Sequence, residues 1–222
     1  MKLLAIIFGL LMIGCNSTET ESTDNKFGKV TQQKIEHKII EKELQNGDLI
    51  FHTSRSNQSQ AIQIATNSKY SHMGIIYQEG NDFFVYEAIQ PVKMTNLKDW
   101  INRGVNGNYV VKRLKNSNEI LTDEGIEKMK LVGKKYLGKD YDLLFEWSDD
   151  KIYCSELAWK IYKEAFNIEI GTLEKIKDFD LSNKTVQQKV KERYGNNIPT
   201  DELVITPDRM FNAKNLITIK EK

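Results

Sequence analysis

Asp149-Asp150-Lys151-Ile152-Tyr153-Cys154-Ser155-Glu156-Leu157-Ala158-Trp159 sets a cysteine at the start of a strongly helical stretch. Leu157, Ala158, Ile161, Tyr162 and Ala165 recur at i, i+4 spacing, which predicts a helix running to about Phe166. A thiol in its first turn meets unpaired backbone N–H groups and the positive end of the helix dipole, and both favour thiolate over thiol. The backbone N–H of Cys154 is then a candidate oxyanion donor. Tyr153, and Asp48 far upstream, are read as supporting polar groups. Taken alone, such a cysteine is more often a small buried hydrophobe than a nucleophile. Its partners decide.

Those partners lie upstream. Tyr70 to Tyr77 reads as a strand, Glu79-Gly80-Asn81-Asp82 as a turn, and Phe83 to Ile89 as the returning strand. A turn tip at Gly80-Asn81 pairs Glu87 with Gly74. His72 shares a face with Gly74, two residues away, so Glu87 becomes a diagonal neighbour of His72. A one-residue bulge would turn Glu87 to the other face. Ser71 and Gly74 are small and leave room around the ring. Cysteine, imidazole and carboxylate are the residue types of a nucleophile, a base and an orienter. Taken singly, His72 reads more readily as a satisfied core or surface histidine and Glu87 as a solvated strand residue. His52, after the strand Leu49 to Phe51, is a competing base, and His37 reads as solvated. Cys154, His52, His72 and Glu87 lack the paired close spacings of zinc motifs, so no metal or cofactor is expected.

Outward from this set, Asn46-Gly47-Asp48 is a turn that opens the first strand. Ser54 to Ser59 is a polar loop, and Gln60 to Thr66 a short helix. Gln90 to Asn96 is a loop, Leu97 to Ile101 a short helix, and Tyr109 to Leu114 a strand with Lys112 and Arg113 at its solvated end. Tyr77, Phe83, Phe84 and Tyr86 read as core or cleft wall. Asp123 and Glu124 begin a helix, as its dipole prefers, with Ile126, Met129, Val132 and Tyr136 on one face and Gly138 at its end. Trp147 and Trp159 read as packing. Past the cysteine helix, Gly171 to Pro207 is charged, with a helix around Thr185 to Arg193. Leu203 to Ile205 and Leu216 to Ile219 are strand candidates. Strands flanked by helices indicate α+β.

The chain has 222 residues and opens on Lys2 followed by an apolar run from Leu3 to Ile13 that stops at Gly14-Cys15. Such a run suits a signal-peptide core and is too short to span a bilayer. Leu11-Met12-Ile13-Gly14-Cys15 resembles a bacterial lipobox, so Cys15 is expected to be lipidated. The expected organisation is a leader over 1–15, a polar tether over 16–43 and one catalytic domain over 44–222. A domain of about 180 residues can bury a sizeable core. Lys and Arg number 32 against 31 Asp and Glu, so no net field attracts nucleic acid. The implied place is the bacterial cell envelope, with the lipid holding the chain to a membrane. One cysteine then remains, so an intrachain disulfide is impossible.

Gly47-Asp48-Leu49-Ile50-Phe51, Ser59-Gln60-Ala61-Ile62-Gln63, Tyr70-Ser71-His72-Met73-Gly74-Ile75, Val85-Tyr86-Glu87-Ala88 and Tyr153-Cys154-Ser155-Glu156-Leu157 occur in this order. From about Gln45 to Leu216 the chain resembles the YiiX/YaeF-type permuted papain-like proteins, relatives of the NlpC-like cell-wall peptidases. Met73 and Met94 stand where that resemblance leads one to expect other aliphatics. The resemblance implies a circularly permuted papain-like fold, an antiparallel sheet packed on helices with the nucleophile helix after the sheet. It also implies a triad of Cys154, His72 and Glu87.

The expected function is a membrane-anchored cysteine hydrolase cleaving amide bonds of peptide or peptidoglycan type through an acyl-enzyme. Its partner is an amide- or ester-containing substrate. Two alternatives remain: a non-catalytic binding module on the same fold, and a lipid-directed acyltransferase or esterase.

Overall fold

Alternation of apolar residues builds one antiparallel sheet, and the helices cover it. The computed structural model describes residues 43–222. The expected leader, the Cys15 anchor, His37 and nearly all of the tether lie outside the described residues. The strands are β1 (Leu49–His52), β2 (His72–Glu79), β3 (Asp82–Glu87), β4 (Lys93–Asn96), β5 (Val110–Leu114), β6 (Glu174–Lys175), β7 (Leu203–Val204) and β8 (Leu216–Glu221). The helices are α1 (Ser59–Thr66), α2 (Leu97–Arg103), α3 (Ser117–Ile120), α4 (Asp123–Gly133), α5 (Cys154–Phe166), α6 (Lys184–Tyr194) and α7 (Pro207–Phe211). Six strands form the main sheet in the order β4-β3-β2-β1-β5-β8, while β6 and β7 pair separately. Every strand pair in both sheets is antiparallel.

One face of the sheet carries Leu49, Phe51, Met73, Ile75 and Tyr86, and these enter the same core as Leu157, Ala158 and Ile161 of α5. Ten of the thirteen residues of α5 are buried, so it is enclosed on nearly every side rather than on one stripe. Helix α4 lies beside it and α6 packs on α1. Among the described residues no helix is long and apolar enough to cross a membrane. The architecture is the α+β arrangement expected, with the cysteine helix following the strands it packs on.

Three expectations change. The supposed loop Gln90 to Asn96 contains β4, an edge strand whose Lys-Met-Thr-Asn sequence has no apolar alternation. Backbone pairing with β3, in the register Val85 to Thr95, makes it a strand. Lys112 and Arg113 are not a solvated end. Lys112 Nζ donates to the Phe211 carbonyl at 2.6 Å and lies over its ring. Arg113 donates from Nε to Asp48 Oδ1 at 2.7 Å and from a terminal nitrogen to Oδ2 at 2.8 Å.

The third change concerns Asp48, which supports the fold and not the cysteine. It stands at the far end of β1 from His52 and is wholly buried. Burial lifts its carboxyl above the ordinary value even against the pull of Arg113. Arg113→Met strands that carboxylate without a counter-charge. The expected loss is on the order of 3 kcal/mol, seen as a lower Tm, with turnover per folded molecule unchanged.

Candidate active site

The hairpin β2–β3 keeps one register without a shift, from Glu79 opposite Asp82 to Ile75 opposite Tyr86. The expected bulge-free pairing therefore holds. A Cβ at Gly74 would fall 2.4 Å from Val85 Cγ1 and 2.8 Å from the Tyr86 carbonyl oxygen. Only glycine lets β3 approach here, and that approach brings Glu87 to His72. His72 Nε2 and Glu87 Oε2 are 2.7 Å apart.

Glu87 is completely buried, yet it is held as a carboxylate. Burial pushes its carboxyl up, but the hydrogen bond and charge of His72, with Thr95 and Arg103, outweigh that and hold it at about 2. Thr95 Oγ1 donates to Oε1 at 2.6 Å, and the Arg103 guanidinium pairs with the same oxygen. Both donors come from the segment β4–α2, which sequence reading had left partly as loop.

Glu87 occupies Nε2 of His72, which leaves Nδ1 for the thiol. Cys154, the first residue of α5, lies near enough to act on the His72 ring. Burial lowers the imidazole, but the charge and hydrogen bond of Cys154, with Glu87 behind, lift it to about 9. Tyr153 precedes the helix in an extended conformation, and the Glu156 carboxylate accepts its backbone N–H at 3.3 Å. Burial raises Glu156 to about 8 against the pull of Lys160, whose Nζ lies 2.8 Å from Oε1. These contacts fix the turn that presents the sulfur. Such a set can pass one proton between thiol, imidazole and a bound group.

The other sequence-predicted residues are placed differently. The Tyr153 hydroxyl accepts the Ile205 backbone N–H at 3.0 Å, which ties the residue before the cysteine to the segment after β7. His52 pairs with His72 across β1–β2 and stacks on Trp100 at 3.9 Å between ring centroids. Burial, then the charges of His72 and Arg103, lower it to about 2, so it is neutral and no competitor as base. Trp147 and Trp159 pack edge-to-face on one another at 5.2 Å. Among the described residues no three His, Cys, Asp or Glu side chains are grouped to hold a metal ion. Both Glu87 oxygens already have donors, and the Arg103 guanidinium beside them disfavours a cation.

Cys154 is only 4 % exposed, but it is not sealed. It lines an apolar cavity of ≈ 130 Å³ with Ala61, Phe145, Phe179, Val190 and Ile205 among the walls. A larger groove of ≈ 1110 Å³ runs past the polar side chains of His72, Arg55, Arg103 and Gln90. Gln58, Ser71, Tyr141, Lys189 and Arg193 belong to both walls. Cys154 and His72 thus lie where an apolar recess meets a larger open groove. Gln58, Arg103 and Arg193 carried no signal in the sequence, because distant segments bring them here.

A cysteine on a central helix, facing an imidazole and carboxylate from strands that precede it, defines a permuted papain-like domain. The family described as permuted papain-like amidase enzymes, YaeF/YiiX, C92, matches residues 43–220. This chain belongs to that family. It is 47 % identical over 178 residues to the uncharacterized protein YiiX of Escherichia coli strain K12, covering 80 % of this chain and 87 % of the relative. It is also similar to the crystal structure of YiiX from Escherichia coli O157:H7, described as a metalloprotein. The TM-score is 0.77 at 48 % identity, over 81 % of this chain and 98 % of that one.

Proposed function

We propose that this chain is a cysteine amidase working through an acyl-enzyme on Cys154. The observation that carries the reading is His72 held between Cys154 on one side and Glu87, at 2.7 Å, on the other. The thiolate attacks a carbonyl carbon while His72 holds the proton. Collapse of the tetrahedral intermediate breaks the C–N bond, and His72 protonates the departing amine. Water, deprotonated by His72, then releases the acyl group. Glu87 keeps the ring oriented and stabilises the imidazolium. The substrate is an amide of peptide or peptidoglycan type, and Cys15 tethers the enzyme to a membrane of the cell envelope. The E. coli structure is described as a metalloprotein, but among the described residues of this chain no three His, Cys, Asp or Glu side chains are grouped to hold a metal ion, and the steps above use side chains alone.

Iodoacetamide at neutral pH tests the nucleophile. Stoichiometric labelling of Cys154 in the folded protein is expected, and labelling only after denaturation would favour the non-catalytic binding module.

The apolar recess beside the sulfur favours a second reading, acyl transfer or hydrolysis on lipid-like substrates. Each buried CH₂ contributes about 0.8 kcal/mol, roughly fourfold in binding. Decanoyl p-nitroanilide should therefore exceed acetyl p-nitroanilide in kcat/KM by at least about tenfold. Equal values for the two would remove the lipid reading and leave the amidase.

A further inference from the structure

We infer that Arg55 and Arg103 form a carboxylate subsite for the leaving half of the substrate, so that the amide cleaved is one whose amine part carries a carboxylate, as amino acids and peptides do. The inference rests on the amidase reading above and deepens it. Its starting point is a short antiparallel bridge between Ser54 and Gly104, beside which the Val105 N–H donates to the Thr53 carbonyl at 3.0 Å. In such a bridge the residue after one partner lies beside the residue before the other, so Arg55 and Arg103 are neighbours. Both side chains line the groove that passes His72. Two like charges side by side repel, and an anion between them replaces that repulsion by two attractions.

The fold does not use up this positive charge. Among the described residues Arg55 has no ion pair and no side-chain hydrogen bond, and it is exposed. Arg103 gives one terminal nitrogen to Glu87 Oε1, and its remaining side-chain N–H groups have no partner among the described residues. Its side chain stays 42 % exposed. Arg193, also in the groove wall, is held by Gln58 Oε1 at 2.6 Å and by the face of Phe145, neither of them an anion. Glu192 is the one acidic side chain in the described wall, and Lys189 takes it at 2.6 Å. Glu87, behind Arg103, offsets one more cation, and an excess of positive charge still faces the groove.

The groove is the leaving-group side of the site. Cys154 walls the recess, whereas His72 walls the groove. The proton for the departing nitrogen comes from His72, so the amine part of the substrate lies in the groove. Arg103 stands on the Glu87 oxygen that His72 does not use, which fixes it next to the triad without blocking the imidazole. Its planar fork matches a carboxylate, and Arg55 approaches the same anion from the facing loop. The pair adds no chemical step. It selects which amine is brought to His72, and salt in the groove weakens that selection. Arg55 is thus a specificity-determining residue, while Arg103 meets the same anion and also holds Glu87.

Two chromogenic amides that differ by one carboxylate on the leaving amine test this, acetyl p-nitroanilide and acetyl 3-carboxy-4-nitroanilide. The ratio of their kcat/KM values in Arg55→Gln gives the intrinsic difference between the two leaving groups. The wild-type ratio should favour the carboxylated amide by about tenfold more than that, and the gap should shrink as salt is raised. Arg55→Gln should turn over the uncharged anilide at the wild-type rate, and Arg55→Glu should push the ratio below that of Arg55→Gln. Equal ratios in wild type and Arg55→Gln overturn the subsite, as does an equal loss on both substrates. Binding gives a readout that needs no turnover. In Cys154→Ala the carboxylated amide should bind about tenfold tighter than in the Cys154→Ala, Arg55→Gln double variant, with the uncharged one unchanged. Failure of the amidase reading looks different, since wild type would then cleave neither amide while this binding difference remained. Loss of the binding difference beside active cleavage would overturn the subsite and leave the amidase.

Discussion

Cys154→Ala is expected to reduce turnover of a p-nitroanilide or p-nitrophenyl ester by on the order of 10⁶-fold, leaving the background that binding and oxyanion stabilisation alone provide. The change removes one sulfur atom from the first turn of α5 and keeps a good helix former there. The turn does not depend on that sulfur. Glu156 still accepts the Tyr153 N–H, and the Tyr153 carbonyl still receives the Leu157 N–H at 2.9 Å. The fold should therefore survive, with circular dichroism and Tm close to wild type. Retained turnover on a verified substrate would remove Cys154 as nucleophile and the amidase proposal with it.

Glu87→Gln should come next in size, with kcat lower by roughly 10³- to 10⁴-fold. The amide is nearly the same shape but changes the hydrogen-bond pattern. A carboxylate accepts from His72, Thr95 and Arg103 together, whereas an amide NH₂ turned toward Arg103 or the charged His72 meets a donor and cannot accept from it. The ring then loses the partner that fixes Nε2, so Nδ1 no longer meets the thiol in one protonation state. Unlike Cys154→Ala, this variant should also lose stability, because a buried ion-paired network is broken.

Its pH profile gives an independent check. In the wild type His72 is lifted from 6.5 to about 9, so the stability from its charged form is complete below 6.5 and disappears as pH rises through about 9. Glu87 is depressed from 4.5 to about 2, so its contribution is complete above 4.5 and disappears as pH falls through about 2. Stability from this pair is thus greatest between about 4.5 and 6.5. Activity that needs the His72 proton for the leaving amine should fall with an apparent pKa near 9. In Glu87→Gln the alkaline limb should move toward the ordinary imidazole value. An unmoved limb would mean that Glu87 has no influence on the titrating group.

Much of the site could be read from the chain because its parts are local. The cysteine helix begins at Cys154 and ends at Phe166, where its apolar spacing stops and Asn167 turns left-handed. The Gly80-Asn81 turn set the register, and a period-two side-chain pattern then put His72 and Glu87 on one face. The edge strand β4 was missed because its pairing, rather than its composition, makes it a strand. Asp48 was misassigned for a related reason. A buried aspartate beside a strand end looks the same in sequence whether its partner is a substrate or an arginine 65 residues away.

What the sequence by itself determined was therefore the helix start bearing the thiol, the hairpin bearing imidazole and carboxylate, and the order of the two. Each depends on periodicity or turn chemistry within about ten residues, where the backbone leaves few options. The tertiary structure alone decided that Arg103 and Thr95 close around Glu87, and that Asp48 serves Arg113. It also decided that Arg193 reaches Gln58 across 135 residues to meet Tyr141. Such contacts follow from the packing of α2, α6 and β4 on the finished sheet. Their geometry is set by the shared core, and no local stretch of chain encodes it.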